Sequence, residues 1–194
     1  MYAYDANGLR TARRLYDADD ALTRQHLYTW NDGVLVGQQW QMPGKPTESV
    51  YYIYDASGEA IGFVYKNAAS APASRWFSKN LQGDVTGVYR QNSDLLVTYT
   101  YDAWGNPTVA SGSDYWQFVW AFGYRGYQYD KETGLYYCQS RYYNSNIGRF
   151  LNLDDIGISP IFVNDVLCSN MFAYAGNNPV NNYDPNGYWK IPIC

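Results

Sequence analysis

Along the first hundred or so residues, apolar and polar positions alternate in short runs that break at regular intervals. The alternation is plainest at Val34-Leu35-Val36, Tyr51-Tyr52-Ile53-Tyr54, Ile61-Gly62-Phe63-Val64-Tyr65 and Leu96-Val97-Thr98-Tyr99-Thr100-Tyr101. Runs rich in β-branched and aromatic residues with a period of two predict strands. The breaks share one form. Tyr4-Asp5-Ala6-Asn7-Gly8 recurs as Tyr54-Asp55-Ala56-Ser57-Gly58 and as Tyr101-Asp102-Ala103-Trp104-Gly105, with degenerate copies at Trp30-Asn31-Asp32-Gly33 and Asn80-Leu81-Gln82-Gly83. Asp bonds its own backbone two residues on, and Gly takes the positive φ that a tight reversal needs. Each unit therefore reads as a Tyr closing one strand, a turn, and an apolar run opening the next. The turn glycines stand at 8, 33, 58, 83 and 105, spaced by 25, 25, 25 and 22 residues, which marks an internal repeat. The predicted fold is mainly all-β: stacked hairpins in a curved sheet or partial β-spiral.

Two stretches interrupt the pattern. Asn67-Ala68-Ala69-Ser70-Ala71-Pro72-Ala73-Ser74 reads as a flexible loop, and Ala110-Ser111-Gly112-Ser113-Asp114 as a connector. Helix is expected only as a short piece, at Ile161 to Leu167 or Ser169 to Ala175. With 22 Tyr, 7 Trp and 17 Gly, and only 16% charged residues, the composition also favours strands and turns over amphipathic helices. The aromatic side chains have two readings. They interlock along the sheet as its core, or they present a platform for sugar rings; their regular place in the repeat favours the first.

Charge and special residues narrow the chemistry. A net charge of −4 argues against non-specific nucleic-acid binding, which depends on Lys and Arg neutralising phosphates. Cys138, Cys168 and Cys194 are odd in number and lack Cys/His ligand spacing, so no zinc site or disulfide framework is implied. One bridge or three free thiols both remain open. Cys138, in the alternating run Leu135-Tyr136-Tyr137-Cys138, reads as buried. The Asp turns lack a full calcium ligand set, and no Gly-rich phosphate loop is present, so neither metal nor other cofactor is expected. His26 is the one histidine; without a Gly-X-Ser-X-Gly elbow it reads as a strand-edge surface residue. No apolar run follows Met1, so no signal peptide is expected, and no apolar stretch is long enough for a membrane span.

Beyond residue 122 the repeat gives way to denser motifs. These are Tyr124-Arg125-Gly126-Tyr127-Gln128-Tyr129-Asp130 running on to Gly134-Leu135-Tyr136-Tyr137, then Ser140-Arg141-Tyr142-Tyr143, Gly148-Arg149-Phe150-Leu151-Asn152-Leu153-Asp154, and Asn177-Asn178-Pro179 through Asp184-Pro185-Asn186-Gly187. Together they resemble the core-associated segment of RHS/YD-repeat proteins, specifically over residues 122–188 and more loosely, through the repeats, over 2–110. The resemblance implies YD-type hairpin repeats over 1–121, an irregular core-associated plug over 122–188 and a residual tail over 189–194. In that family the repeats wind a β-sheet shell around the effector of a polymorphic toxin.

The implied function is therefore a scaffold or encapsulation fragment. Its implied partners are upstream RHS repeats or a second copy joined through sheet edges, and a toxin effector with its immunity protein. The parent protein is expected to be extracellular or on the cell surface. The alternative is a carbohydrate- or surface-binding repeat module without catalysis. Because the chain starts inside a repeat and carries six residues after Tyr188, truncation is the favoured explanation of its size, and a toxin enzyme in its own right is disfavoured.

The resemblance also implies an aspartyl autoprotease that cuts just after an Asp-Pro-X-Gly-Leu motif. Carried over residue by residue, Arg149 sits in the Gly-Arg-Phe match, Asp154 is the first motif aspartate, and Asp184 opens the terminal Asp-Pro-X-Gly. The scissile bond would join Tyr188 to Trp189. Such chemistry needs one carboxylate to activate water and one protonated carboxyl to act on the amide, a split that two neighbouring carboxylates achieve together. An arginine would hold one of them ionised or stabilise the oxyanion. Two departures stand out: Asp154-Asp155 replaces Asp-Pro, and Tyr188 replaces the usual Leu. Each residue also has a structural reading, Arg149 as a bridge within the plug, Asp154 and Asp184 as turn aspartates.

Overall fold

In the computed structural model, which describes residues 1–112, 122–153, 170–188 and 191–192, the first side chain of each repeat turn organises it. Asp5 Oδ1 accepts from the backbone N–H groups of Asn7 and Leu9, both at 2.9 Å. Asp55 does the same for Ser57 and Glu59, at 2.9 and 3.0 Å. Asp102 takes Trp104 and Asn106, both at 2.9 Å, and Asn80 takes Gln82 and Asp84, both at 3.0 Å. The fourth residue of each turn is a glycine with φ between 79° and 91°. The Asn31–Val34 reversal is built differently. Asp32 and Gly33 both have positive φ, 48° and 80°, as a two-residue primed hairpin turn requires.

These turns join ten strands that lie in sequence order in one sheet: β1 (Tyr2–Tyr4), β2 (Arg10–Tyr16), β3 (Leu22–Asn31), β4 (Val34–Gln41), β5 (Glu48–Tyr54), β6 (Ala60–Lys66), β7 (Ala73–Lys79), β8 (Val85–Arg90), β9 (Leu95–Tyr101) and β10 (Pro107–Gly112). The 25-residue interval thus holds two strands and two turns; of the turns between, the β4–β5 one also carries a glycine, Gly44 with φ 70°, and others do not. At the β2–β3 turn, Asp17 Oδ1 accepts from Asp19 and Ala21, and Asp20 takes the left-handed position with φ 63°. Ser93 does so at the β8–β9 turn, with φ 68°. The expected flexible loop at Asn67–Ser74 is an ordered turn: Asn67 Oδ1 accepts from Ala69 and Ser70, and β7 already begins at Ala73. Ala110–Gly112 of the expected connector belong to β10; Ser113 and Asp114 lie outside the described residues.

By internal contacts the chain divides into two units, Met1–Ser78 with Val88–Leu96, and Lys79–Gly87 with Val97–Cys194. In the first, neighbouring strands put an aromatic row inside. The rings of His26 and Trp40 stack at 6.3 Å, and those of Trp40 and Tyr65 at 6.2 Å. Val50 and Phe63 beside them are fully buried. Tyr51 and Trp76 instead remain 49% and 38% exposed. They stand across from Gly37 and Gly62, one repeat apart, and each ring covers the gap its glycine leaves. A Cβ on Gly62 would come within 3.1 Å of the Trp76 ring and 2.3 Å of the Arg75 carbonyl oxygen. The aromatics therefore supply the core and also part of the exposed face.

His26 is not a surface residue: it is 1% exposed. Register decides this, because His26 and Tyr28 point inward while Leu27 between them is left 40% exposed. Arg13 Nη2 lies 3.2 Å from His26 Nε2. A guanidinium only donates, so Nε2 accepts and the imidazole is neutral. Burial, reinforced by the charges of Arg13, Arg24 and Arg10, holds its pKa well below the usual 6.5.

The second unit adds a four-stranded antiparallel sheet of β11 (Gln128–Asp130), β12 (Leu135–Cys138), β13 (Arg141–Asn144) and β14 (Arg149–Phe150). A further ladder pairs β15 (Asn182–Tyr183) with β16 (Ile191–Pro192). The described residues contain no α-helix, only 3-10 turns at Tyr124–Gly126 and Ala175–Asn177. The stretch 161–167 lies outside the described residues; of 169–175, the described part is turn and an isolated bridge. Tyr124, Tyr127, Tyr136, Tyr143, Phe150 and Tyr174 form the core. Three of their hydroxyls have one destination. Tyr124, Tyr143 and Tyr136 donate to the carbonyls of Ala103, Trp104 and Gly105, at 2.9, 2.7 and 2.6 Å. The last repeat turn is thus locked to the tyrosine core by its own backbone.

The buried neutral histidine makes a pH prediction. The unfolded chain takes up a proton near pH 6.5 that folded His26 refuses, so the contribution is intact above that pH. It is lost as pH falls, at up to about 1.4 kcal/mol per pH unit. Urea titrations between pH 7.5 and about 5, where most carboxylates stay ionised, should show this slope in wild type and a flatter one in His26→Gln. Parallel slopes would mean that His26 protonates freely in the fold.

Candidate functional site

A buried polar arrangement of the second unit surrounds Arg141, the first residue of β13. It stands opposite Cys138 of β12 across a tight connection in which Gln139 has φ 60°. Arg141 and Tyr143 face inward, and Arg141 is only 4% exposed. A buried guanidinium must find acceptors for its donors and a countercharge. Its Nη2 reaches Asp184 Oδ2 at 2.8 Å, its Nη1 reaches the Met171 carbonyl at 3.2 Å, and its Nε donates to the Gly187 carbonyl. Its flat face lies on Phe150, 3.6 Å from the ring centroid.

The Asp184-Pro185-Asn186-Gly187 segment folds around this fork. Asp184 Oδ1 accepts from the Gly187 N–H at 2.8 Å, closing the turn. Ser140 Oγ donates to the Asn186 carbonyl at 2.9 Å. Gly187 has φ 82°, and a Cβ there would stand 2.4 Å from Ser140 Oγ and 2.7 Å from the Cys138 carbonyl oxygen, so no other residue fits. On the far side of Asp184, Tyr127 Oη donates to its carbonyl at 2.7 Å and receives its N–H at 3.2 Å. Tyr174 Oη lies 3.1 Å from Tyr127 Oη. Burial raises the pKa of both tyrosines well above 10, so both hydroxyls keep their protons. The Cys138 thiol is pushed up by burial and further by the Asp184 charge, with Arg141 opposing. It is a packed neutral thiol, not a nucleophile.

The residues singled out from the sequence fall in different places. Asp184 is 2% exposed and at the centre of this site. Tyr188 follows directly, its N–H donating to Asn186 Oδ1 at 3.3 Å. Arg149 is on β14, paired with Asn144, and its Nη1 donates to Asn177 Oδ1 and to the Gly148 carbonyl. Asp154 and Trp189 lie outside the described residues, as do Cys168 and Cys194. The arginine that touches Asp184 is Arg141, to which the motif resemblance assigns no role. Its signal is nonetheless present in the sequence: a charged residue at an inward position of the run Arg141-Tyr142-Tyr143 demands a buried anion somewhere else in the chain. Among the described residues no group of His, Cys, Asp and Glu side chains forms a metal site.

Asp-turned hairpins in one sheet, followed by a tyrosine-cored four-stranded sheet, define a segment of a YD-repeat shell. The chain belongs to the teneurin YD-shell family, whose model matches residues 1–180. It is 35% identical over 188 residues to the tRNA3(Ser)-specific nuclease WapA of Bacillus spizizenii, covering 97% of this chain and 7% of that protein. It is 38% identical over 64 residues to toxin protein Tse5 of Pseudomonas aeruginosa, covering 33% of this chain and 4% of that one. Among solved structures, the crystal structure of TcdB2-TccC3 superposes with a TM-score of 0.73 at 23% identity, over 96% of this chain and 9% of that one. The fold is thus that of a much larger shell, and this chain spans less than a tenth of each of these proteins. Among the described residues no helix is long and apolar enough to cross a membrane.

The Arg141–Asp184 pair carries a clear energetic prediction. Removing one partner leaves the other charge buried and alone, at a cost of about 3–5 kcal/mol. In urea, Arg141→Ala and Asp184→Ala should each lose about that much, and the double variant far less than their sum. Additive losses would mean that the pair does not exist in solution.

Proposed function

We propose that the chain is a wall segment of an RHS-type shell that encloses the effector of an exported polymorphic toxin, and that it carries a self-cleaving aspartyl site. Membership of the YD-shell family and the TcdB2-TccC3 fold likeness support the scaffold part. The nuclease and toxin activities in the relatives' names belong to proteins of which this chain matches less than a tenth. In this reading the wall is residues 1–121, the core-associated segment 122–188 and the processed tail 189–194. The effector and neighbouring shell repeats are the partners, and delivery is extracellular.

One observation carries the catalytic part. A carboxylate, Asp184, is buried and fixed on a guanidinium, and the residue proposed for cleavage, Tyr188, follows four positions later in the same bonded turn. In the proposed reaction Asp154 and Asp184 share the work. The ionised carboxylate takes a proton from water as it attacks the Tyr188 carbonyl carbon, and the protonated carboxyl gives its proton to the departing Trp189 nitrogen. Arg141 has the geometry to steady the ionised partner. Arg149 serves from a distance by anchoring Asn177.

A second reading keeps the chain as a binding module. The half-exposed rings of Tyr51 and Trp76, one repeat apart, offer a face on which sugars stack. A glycan-binding screen with Tyr51→Ala and Trp76→Ala separates it from the first.

The self-processing proposal is tested by denatured intact mass. Wild type should lose the segment after Tyr188 on incubation, whereas Asp184→Asn and Asp154→Asn stay whole. Full-length mass in all three rules out self-cleavage.

A further inference from the structure

The second unit holds another buried ion pair, and it ties a repeat turn to the segment that carries Asp184. Arg125 lies in the Tyr124–Gly126 turn with φ 52°, a left-handed conformation that only surrounding contacts sustain in a residue of this size. The contacts are these. Its backbone N–H donates to Asp84 Oδ1 at 2.8 Å, and its Nε stands 3.9 Å from the same oxygen. Its Nη1 donates to the Gln82 carbonyl at 3.3 Å and its Nη2 to the Pro179 carbonyl at 2.7 Å. The two charged side chains are 2% and 4% exposed. Asp84 is held in turn by Asn80, whose Nδ2 donates to Oδ2 at 2.6 Å. Gln82 Nε2 adds a bond to the Val180 carbonyl at 3.2 Å, and the Val85 N–H one to the Gly123 carbonyl at 3.1 Å.

The coupling follows from the chain. Asn80–Asp84 is the Asx turn that closes the β7–β8 hairpin. Pro179 and Val180 precede Asp184 by five and four residues. Tyr127, two residues after Arg125, grips the backbone of Asp184 through two hydrogen bonds of its hydroxyl. One short loop, Gly123–Tyr127, therefore reads the repeat turn at one end and fixes Asp184 at the other. A lysine has no planar fork and cannot bond the Gln82 and Pro179 carbonyls while also pairing with Asp84.

We infer that Arg125 is a positioning residue for Asp184: it couples the Asn80–Asp84 repeat turn to the register of Pro179–Asp184, so that self-cleavage proceeds only in a chain in which that turn is closed on Arg125. This rests on the self-processing reading above. It makes cleavage a report on closure of that turn, and it gives a role to a motif arginine that the aspartyl chemistry does not use.

The test compares full-length wild type, Arg125→Lys and Gln82→Ala in three measurements: intact mass against time across pH, thermal unfolding, and hydrogen exchange of peptides spanning 178–187. Arg125→Lys should keep a cooperative unfolding transition yet cleave about tenfold to a hundredfold more slowly, with an altered rate–pH profile and faster exchange in 178–187. Gln82→Ala loses one exposed side-chain bond, keeps the fold and should shift the same readouts less. Cleavage at the wild-type rate in a folded Arg125→Lys overturns the inference. If wild type itself stays whole, the autoprotease reading falls by itself and exchange decides: faster exchange of 178–187 in the variants sustains the coupling, unchanged exchange overturns it. Should Arg125→Lys fail to fold, the same criteria apply to Gln82→Ala.

Discussion

A buried cation organises the end of this chain. Arg141 is held on the inner face of a tyrosine-rich sheet, where water cannot serve its five N–H donors. The acceptors come from three separate places: Met171, the carboxylate of Asp184 and the carbonyl of Gly187. A charge in such a setting is tolerable only when paired and fully bonded. The 170–188 segment thus lies where it does because a guanidinium needs it there. The tyrosine hydroxyls obey the same constraint more mildly. Each buried phenol needs an acceptor, and the Asp102–Gly105 turn offers three adjacent carbonyls. In both cases desolvated polar groups, not apolar area, choose which segments meet.

The repeats follow a different logic. Their turns are self-contained, each closed by its own Asp or Asn, so hairpin formation depends on local sequence. That is why the repeat is legible in the sequence. Its half-period is less plain, because two of the intervening turns replace the glycine: Asp20 ends the copy Tyr16-Asp17-Ala18-Asp19-Asp20, and Ser93 stands in the β8–β9 turn, both in the left-handed position. The inward place of His26 is also hidden, because a one-residue choice of register exchanges Leu27 for His26 and both alternate correctly. Neighbouring arginines make the choice look unfavourable on charge alone; a neutral imidazole accepting from Arg13 removes the conflict.

At the candidate site the legible part is the part written in consecutive residues. Asp184, Pro185 and Gly187 announce a turn, and Gly187 proves irreplaceable for a reason of space that sequence cannot express. Arg141 is easily overlooked because its partner lies 43 residues away and its neighbours are ordinary aromatics. Arg149, with a more recognisable setting, bonds Asn177 instead. Pairings across such distances are set by tertiary packing. They become predictable only by asking where each inward-facing charge finds its opposite. Applied to Arg125 and Asp84, the same question links the repeat turn to the Asp184 segment.

The locked state of Arg141 can be observed directly by 15N NMR of the arginine Nε–H groups, with half-buried Arg149 as an internal reference. A resolved Arg141 Nε–H signal, exchanging with solvent far more slowly than that of Arg149 and in contact with Gly187, is the expected result. Rapid exchange at Arg141, equal to that at Arg149, would contradict a buried guanidinium holding Asp184 and Gly187 in place.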